Sequence, residues 1–264
     1  MPRTLDLSVL AAAVLAASAS ALLLRRTVAP VPATRRPAGR PKSARLAVLE
    51  TGSALLQPMT PLRAFDVYLV GFHPMKDDPH HQMEAHHFCR QVNDDLMQCV
   101  LFDGNTADAN LTGIEYIISE RMFEKLPRDE RRYWHPHNGE ILSGQLIAPG
   151  LPQMAETALM RGKMNSYGKT WHVWDTGGPG REGQALPFGD PRLAWSFNRD
   201  GEANPCLLQA RDARMGVKTT LKRRAREALT RLAHPQEGVD VLRGKFGPDT
   251  RDIAGVVDKA AMTI

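Results

Sequence analysis

The chain has 264 residues, 42% of them apolar and 24% charged. That composition excludes a disordered or fibrous protein and leaves enough chain to bury a core without disulfide staples. The net charge of +5 sits at the ends: residues 1–45 carry 8 Lys and Arg against one acid, residues 46–210 carry 14 against 21, and residues 211–264 carry 12 against 7. An acidic body repels phosphate, which excludes nucleic acid as a partner.

Residues 7–24 form a run of 18 uncharged, mostly apolar residues rich in Ala and Leu, closed by Arg25 and Arg26. As a helix rising about 1.5 Å per residue, such a run just crosses a hydrocarbon core. Arg3, the apolar stretch 7–15 and Ala17-Ser18-Ala19 also follow the order of a cleavable signal peptide. Residues 1–26 are therefore expected to be a membrane anchor or a signal peptide, and the protein to be membrane-associated or exported. If the segment stays as an anchor, the Arg excess behind it places the body in the cytoplasm. Pro30, Pro32, Pro37 and Pro41, with five basic residues and no acid over residues 27–45, predict an extended linker over 27–49 that can touch anionic headgroups.

From Asp66 the pattern turns to β, with a first strand from residue 67. Residues 84–92 and 96–103 predict a hairpin about Asn93-Asp94, in a register that sets Cys89 opposite Cys99 and His87 opposite Leu101. A strand over 111–119 follows. Ser119 then caps a short helix over 120–125 that ends at Pro127, and a second begins there. Next come a strand over 139–148, a helix over 152–166 ended by Tyr167-Gly168, and a strand over 169–175. A Gly-rich loop over 176–183 and a strand over 193–197 complete the body. Strands joined by a tight hairpin, with helices inserted between them, predict an α+β fold with a largely antiparallel sheet. In residues 217–233, Val217, Leu221, Ala225, Ala228, Leu229 and Leu232 fall on one face of a basic helix. That face is rich in Ala and lacks Trp or Phe, so the helix is expected to dock on its own body rather than enter a membrane. The body is assigned to residues 50–215, followed by a basic helical C-terminal region over 216–264.

Eight of the nine histidines lie between His73 and His172. His135 and His137 are two apart and project to one side of extended backbone, with Glu140 in reach. His86 and His87 are adjacent, so a strand sends them to opposite faces and only one can join a given site. A divalent-metal site is thus read on His135, His137 and one of His86 or His87, with Glu140 or His172 as a further donor or base. The competing reading is a polar sheet face in which these groups hydrogen-bond among themselves. His135 and His137 followed by Glu140 superficially resemble the first cupin motif, with a shorter spacing and no second motif downstream. His80 and His81, in an Asp-Asp-Pro-His-His run, are expected to be solvated. Cys89, Cys99 and Cys206 are spaced by 10 and 107 positions and match no zinc framework. Cys89 and Cys99 can form a disulfide if the body is exported, with a free, buried pair as the default expectation. No Gly-x-Ser-x-Gly elbow is present, and Gly177-Gly178-Pro179-Gly180 leads into no helix, so it reads as a turn rather than a phosphate cradle.

Several blocks recur in a familiar order: Glu84-Ala85-His86-His87-Phe88-Cys89 with Leu96-Met97-Gln98-Cys99, then Gly113-Ile114-Glu115-Tyr116-Ile117. Leu126-Pro127 follows, with Trp134-His135-Pro136-His137 leading to Glu140 and Ser143-Gly144. Tyr167-Gly168-Lys169-Thr170-Trp171 and Leu186-Pro187-Phe188-Gly189 complete the set. Over roughly residues 50–215 these resemble the oil-body-associated protein family, a domain of unknown function in plants, fungi and bacteria. The resemblance implies a protein of lipid surfaces, which in plants are seed oil bodies, and it brings no established reaction, cofactor or catalytic residue. It also implies that His73, His86, His87, His135 and His137 occupy family histidine positions, whereas His80, His81 and His172 are particular to this chain. That leaves His86, His87, His135, His137 and Glu140 as the metal candidates. The apolar N-terminal segment departs from the plant pattern and suits a bacterial-type member in a cell envelope. The expected function is that of a non-enzymatic, membrane- or lipid-surface-associated protein. The alternative is a metal-binding protein or metal-dependent enzyme.

Overall fold

The computed structural model describes residues 28–247 and 249–262, so the predicted anchor or signal segment lies outside the described residues. Among the described residues no helix is long and apolar enough to cross a membrane.

Residues 29–34 lie against the body as a strap. Val31 is buried, its N–H donates to Asn105 Oδ1 at 2.7 Å, and the Thr34 hydroxyl donates to Asp103 Oδ2 at 2.7 Å. Helix α1 (Ala44–Leu56) then begins within the stretch expected to be extended. It is capped by Ser43, whose hydroxyl accepts from Leu46 N, and it buries no side chain. The short α2 (Thr60–Arg63) leads into the sheet.

The sheet has seven strands: β1 (Val67–Pro74), β2 (Gln82–Asn93), β3 (Leu96–Phe102), β4 (Leu111–Ile118), β5 (His135–Pro136), β6 (Tyr167–His172) and β7 (Arg192–Leu193). Every pairing is antiparallel, in the order β1-β2-β3-β4-β6-β5 with β7 also on β6. The α+β class with a largely antiparallel sheet is as expected. Residues 192–195 bridge the two ends of this order. Leu193 and Arg192 pair with β6, Lys76 N donates to Leu193 O, and Trp195 N donates to Pro74 O, each at 2.9 Å. The sheet therefore curls round a concave inner face.

The hairpin register is the expected one, with His87 opposite Leu101 and Cys89 opposite Cys99. The two cysteines are not a free pair, however. They are joined in a disulfide, because the register sets their side chains on the same face of adjacent strands. Ser119 caps α3 (Glu120–Phe123) by accepting from Met122 N, and α4 (Arg128–Arg131) starts after Pro127.

Residues 139–148 do not form the expected strand. Their first part is helix α5 (Asn138–Leu142), whose turn closes when Ile141 N donates to His137 O and Ser143 N to Gly139 O. Short apolar runs fit either period, and here tertiary packing decides. A Cβ on Gly139 would stand 2.3 Å from Phe197 O, so the helix enters where only glycine fits. Only Ile147 behaves as strand, exchanging hydrogen bonds of 2.9 Å with Val70. Helix α6 (Gln153–Lys163) stops before Asn165, which takes the left-handed conformation at φ +66°, two residues earlier than Tyr167-Gly168 would place the end.

The C-terminal region packs on the body, but its long basic helix is broken. After α7 (Pro205–Met215), helix α8 (Thr219–Ala225) gives way at Arg226 to a 3-10 turn over Glu227–Leu232. The cause is Arg226 itself, which points inward with no exposure. Its guanidinium donates to Ile141 O at 2.9 Å, Leu146 O at 2.7 Å and Glu156 Oε1 at 3.1 Å. Burial pushes its pKa down to about 10, so it stays charged at neutral pH. Leu229 joins the core formed by Leu69, Leu101, Ile117, Ile141, Leu146 and Met160, whereas Leu221 faces solvent. In Arg226→Met, Glu156 keeps only Lys222 as its cationic partner among the described residues, and the carbonyls of Ile141 and Leu146 lose the guanidinium. Urea unfolding should show a loss of about 3 kcal/mol, the lower end for breaking a buried pair.

Candidate metal centre

Alternate residues of a strand share a face, and paired residues of neighbouring strands share it too. The row Leu69, His87, Leu101, Gly113 and His172 therefore runs across the inner face, and the row Cys89, Cys99, Glu115 and Thr170 lies beside it. His73 lies further along β1 on the same side, and His135 enters opposite Gly168. His137 heads α5, and Glu140 sits within it. All of these His and Glu side chains are buried.

Glu115 is the centre. Its Oε2 lies 2.8 Å from His87 Nε2, and its Oε1 lies 3.3 Å from His137 Nε2 and 3.6 Å from His135 Nε2. His73 Nδ1 meets His172 Nε2 at 3.0 Å. Donor atoms converge within 4.8 Å of one another in three overlapping sets: His73, His87 and Glu115; Glu115, His135 and His137; and His73, His135 and Glu140. Gly168 makes the convergence possible. A Cβ there would lie 2.3 Å from Glu115 Oε1, 2.6 Å from His137 Nε2 and 2.7 Å from His135 Nε2.

The protons on two of these rings follow from their outer partners. His87 Nδ1 faces Ala85 O at 3.1 Å, and a carbonyl only accepts, so Nδ1 carries the hydrogen. His137 Nδ1 faces Ser166 Oγ at 2.8 Å, and that hydroxyl donates to Lys163 O at 2.7 Å, so this Nδ1 is again the donor. In the neutral rings both Nε2 lone pairs therefore point at the carboxylate, and acceptor meets acceptor unless a proton or another cation lies between. Both nitrogens of His135 and Glu140 Oε1 have no hydrogen-bond partner.

Burial holds His73 well below the usual imidazole range. Burial and the neighbouring His137 push His135 down to about 3, and burial pushes His172 down to about 4. These rings are neutral at pH 7 and keep a lone pair. Burial would raise Glu115, but the His137 and His87 rings against it outweigh burial and hold the group well below the usual carboxylate range. Burial, followed by the charge of Glu115, raises Glu140 well above the carboxylate range, so it holds its proton.

Of the residues singled out from sequence, His87, His135, His137 and Glu140 come together and His86 does not. His86 turns to the outer face, where Tyr68 Oη donates to its Nδ1 at 2.6 Å and its Nε2 donates to Glu84 Oε1 at 3.1 Å. His172, set aside because of the family resemblance, stands in the cluster against His73. His81 is not simply solvated, lying 3.3 Å from Asp175 and 2.7 Å from Arg192, while His80 is exposed. Sequence reasoning passed over Glu115 as a ligand. The available signal was a lone acid in the middle of the otherwise apolar and aromatic strand β4, two positions from Gly113 on the face shared with Cys99.

Fold and site together define a curled antiparallel α+β body with a histidine- and glutamate-lined interior. Residues 59–230 match the family described as "Protein of unknown function (DUF1264)". The chain is 35% identical over 225 residues to Oil body-associated protein 1A of Zea mays, covering 85% of this chain and 92% of that protein. It is 33% identical over 200 residues to Oil body-associated protein 1B of Arabidopsis thaliana, covering 76% and 80%, and 34% identical over 197 residues to Oil body-associated protein 2B of the same plant, covering 74% and 78%. No solved structure matches the chain. The chain belongs to the oil-body-associated protein family.

Gly168→Ala should destabilise the protein by about 1–3 kcal/mol in urea unfolding, the usual cost of overpacking. Gly162→Ala, on the open side of α6 with no atom within 4 Å of the added methyl, should instead stabilise by about 0.5–1 kcal/mol.

Proposed function

We propose that this protein works at a membrane or lipid surface, in a binding role rather than through a reaction. The observation that carries the reading is the extent of the match to relatives named for oil bodies, which spans most of the chain and of each relative. The apolar run over residues 7–24 supports it as a targeting segment. Between that run and the sheet come Arg36, Arg40 and Lys42, then α1 with Arg45 in its first turn, all four basic side chains exposed and suited to anionic headgroups. Helix α1 leaves Val48 72%, Leu55 80% and Leu56 85% exposed, along with Leu46 and Leu49. Apolar side chains this open in one short helix beside a basic stretch suit partial burial in a lipid interface. The unpartnered nitrogens of the inner face favour a second, compatible reading as a metal-binding protein.

Flotation with vesicles of phosphatidylcholine and phosphatidylglycerol tests the lipid reading. The full chain should rise with the vesicles, and a chain beginning at Val28 should rise less. Adding Leu55→Glu and Leu56→Glu should weaken that remaining partition by about a hundredfold, since each buried Leu contributes at least about 1.5 kcal/mol. Recovery of both the full and the shortened chain in the lipid-free fraction would overturn the reading.

A further inference from the structure

We infer that the inner face holds one divalent first-row transition-metal ion, with Glu115, His135 and His137 as ligands and His73 and His87 beside them. This goes beyond the lipid-surface reading and does not depend on it.

Three geometric observations carry it. First, two imidazoles have their Nδ1 hydrogens committed outward, to Ala85 O and Ser166 Oγ, and aim their Nε2 atoms at the two oxygens of one carboxylate. Metal-ligating histidines are oriented in this way: the outer nitrogen donates to a fixed acceptor and the inner one keeps its lone pair for the ion. Second, His135 is fully buried with neither ring nitrogen partnered. Buried polar atoms are nearly always satisfied, and an orphan imidazole aimed into a group of donors marks a missing partner. A cation among Glu115, His135 and His137, whose donor atoms lie within 4.8 Å of one another, gives the inward nitrogen of His135 its partner. Third, the absence of a side chain at Gly168 leaves the room, because the three atoms nearest a Cβ there belong to Glu115, His137 and His135.

The donor set selects the ion. Two imidazoles with one carboxylate suit zinc, iron, cobalt, nickel or manganese, whereas calcium and magnesium take oxygen ligands. A narrow surface cleft of about 80 Å³, lined in part by His81, Trp174, Phe188 and Arg192, ends on His172, which touches His73.

The test uses the full chain in mild detergent, stripped with a chelator and titrated with Co²⁺ while the visible d–d bands are recorded. Elemental analysis after gel filtration gives the stoichiometry. The expected result is about one ion per chain, with a spectrum typical of nitrogen and oxygen ligands and a rise in melting temperature. Glu115→Gln and His137→Gln should each weaken binding at least about tenfold, while His86→Ala, on the outer face, leaves it unchanged. Should either inner variant fail to fold, the stoichiometry and melting shift of the wild-type chain still decide. Folded wild-type protein that holds less than about a tenth of an equivalent after reloading overturns the inference. So does binding that survives Glu115→Gln intact, or that His86→Ala reduces equally.

Discussion

A carboxylate with 2% exposure, in the middle of a sheet, is costly unless something compensates its charge, and Glu115 organises the molecule around that requirement. No single element can supply the compensation. β2 brings His87 from within the sheet, and the chain from β5 into α5 brings His135 and His137 from outside it. That excursion leaves the sheet after β4, passes through two short helices and returns to pair with β6 opposite Gly168. The sheet surface and the segment covering it therefore meet at the carboxylate, and closing the fold is the same event as assembling the site.

The covering segment needs an anchor of its own, which a second buried charge provides. Arg226 ties the carbonyls of Ile141 and Leu146, at either end of the turn after α5, to Glu156 of α6. Glu156 in turn accepts from Ala148 N at 3.0 Å and pairs with Lys222. Buried ion networks contribute little net stability compared with apolar packing, but they permit few alternative arrangements. Here the network fixes α5, and with it the place from which His137 and Glu140 enter the inner face. Between the two charged centres lie Leu69, Leu101, Ile117, Ile141 and Met160, whose burial supplies the bulk of the cohesion.

Local rules carried the sequence reading where local interactions decide. The Asn93-Asp94 turn and strand alternation gave the hairpin register, and that register separates His86 from His87 and pairs Cys89 with Cys99. The Ser119 cap was legible for the same reason. Three of the misreadings were tertiary. Residues 139–148 have no period of their own, and Gly139 is helical because Phe197 presses on it. Arg226 looked like one more solvated charge on a basic helix, and nothing within 20 residues of it reveals that its partners are Ile141, Leu146 and Glu156. Glu115 belongs to the same class. Its environment is built from distant segments, from His73, 42 residues earlier, to Gly168, 53 residues later, so a list of histidines located the chemistry without locating its centre.

His86, excluded from the inner site, shows how the two sides of the sheet are joined. On the outer face a chain of hydrogen bonds runs from the strap inward: Val31 N donates to Asn105 Oδ1, Asn105 Nδ2 to Tyr68 Oη at 3.2 Å, Tyr68 Oη to His86 Nδ1, and His86 Nε2 to Glu84. Glu84 is held from beyond by Arg214 of α7. The strap is the last piece of chain before the basic stretch and α1, so the segment proposed to meet lipid is fastened to the body through His86. The next residue, His87, reaches through the same strand to Glu115. Adjacent residues on a strand cannot share a face, and β2 uses that constraint to fasten the strap on one side and build the interior centre on the other. The strap-side contacts and the Glu115 contact are thus one residue apart on β2 and chemically separate.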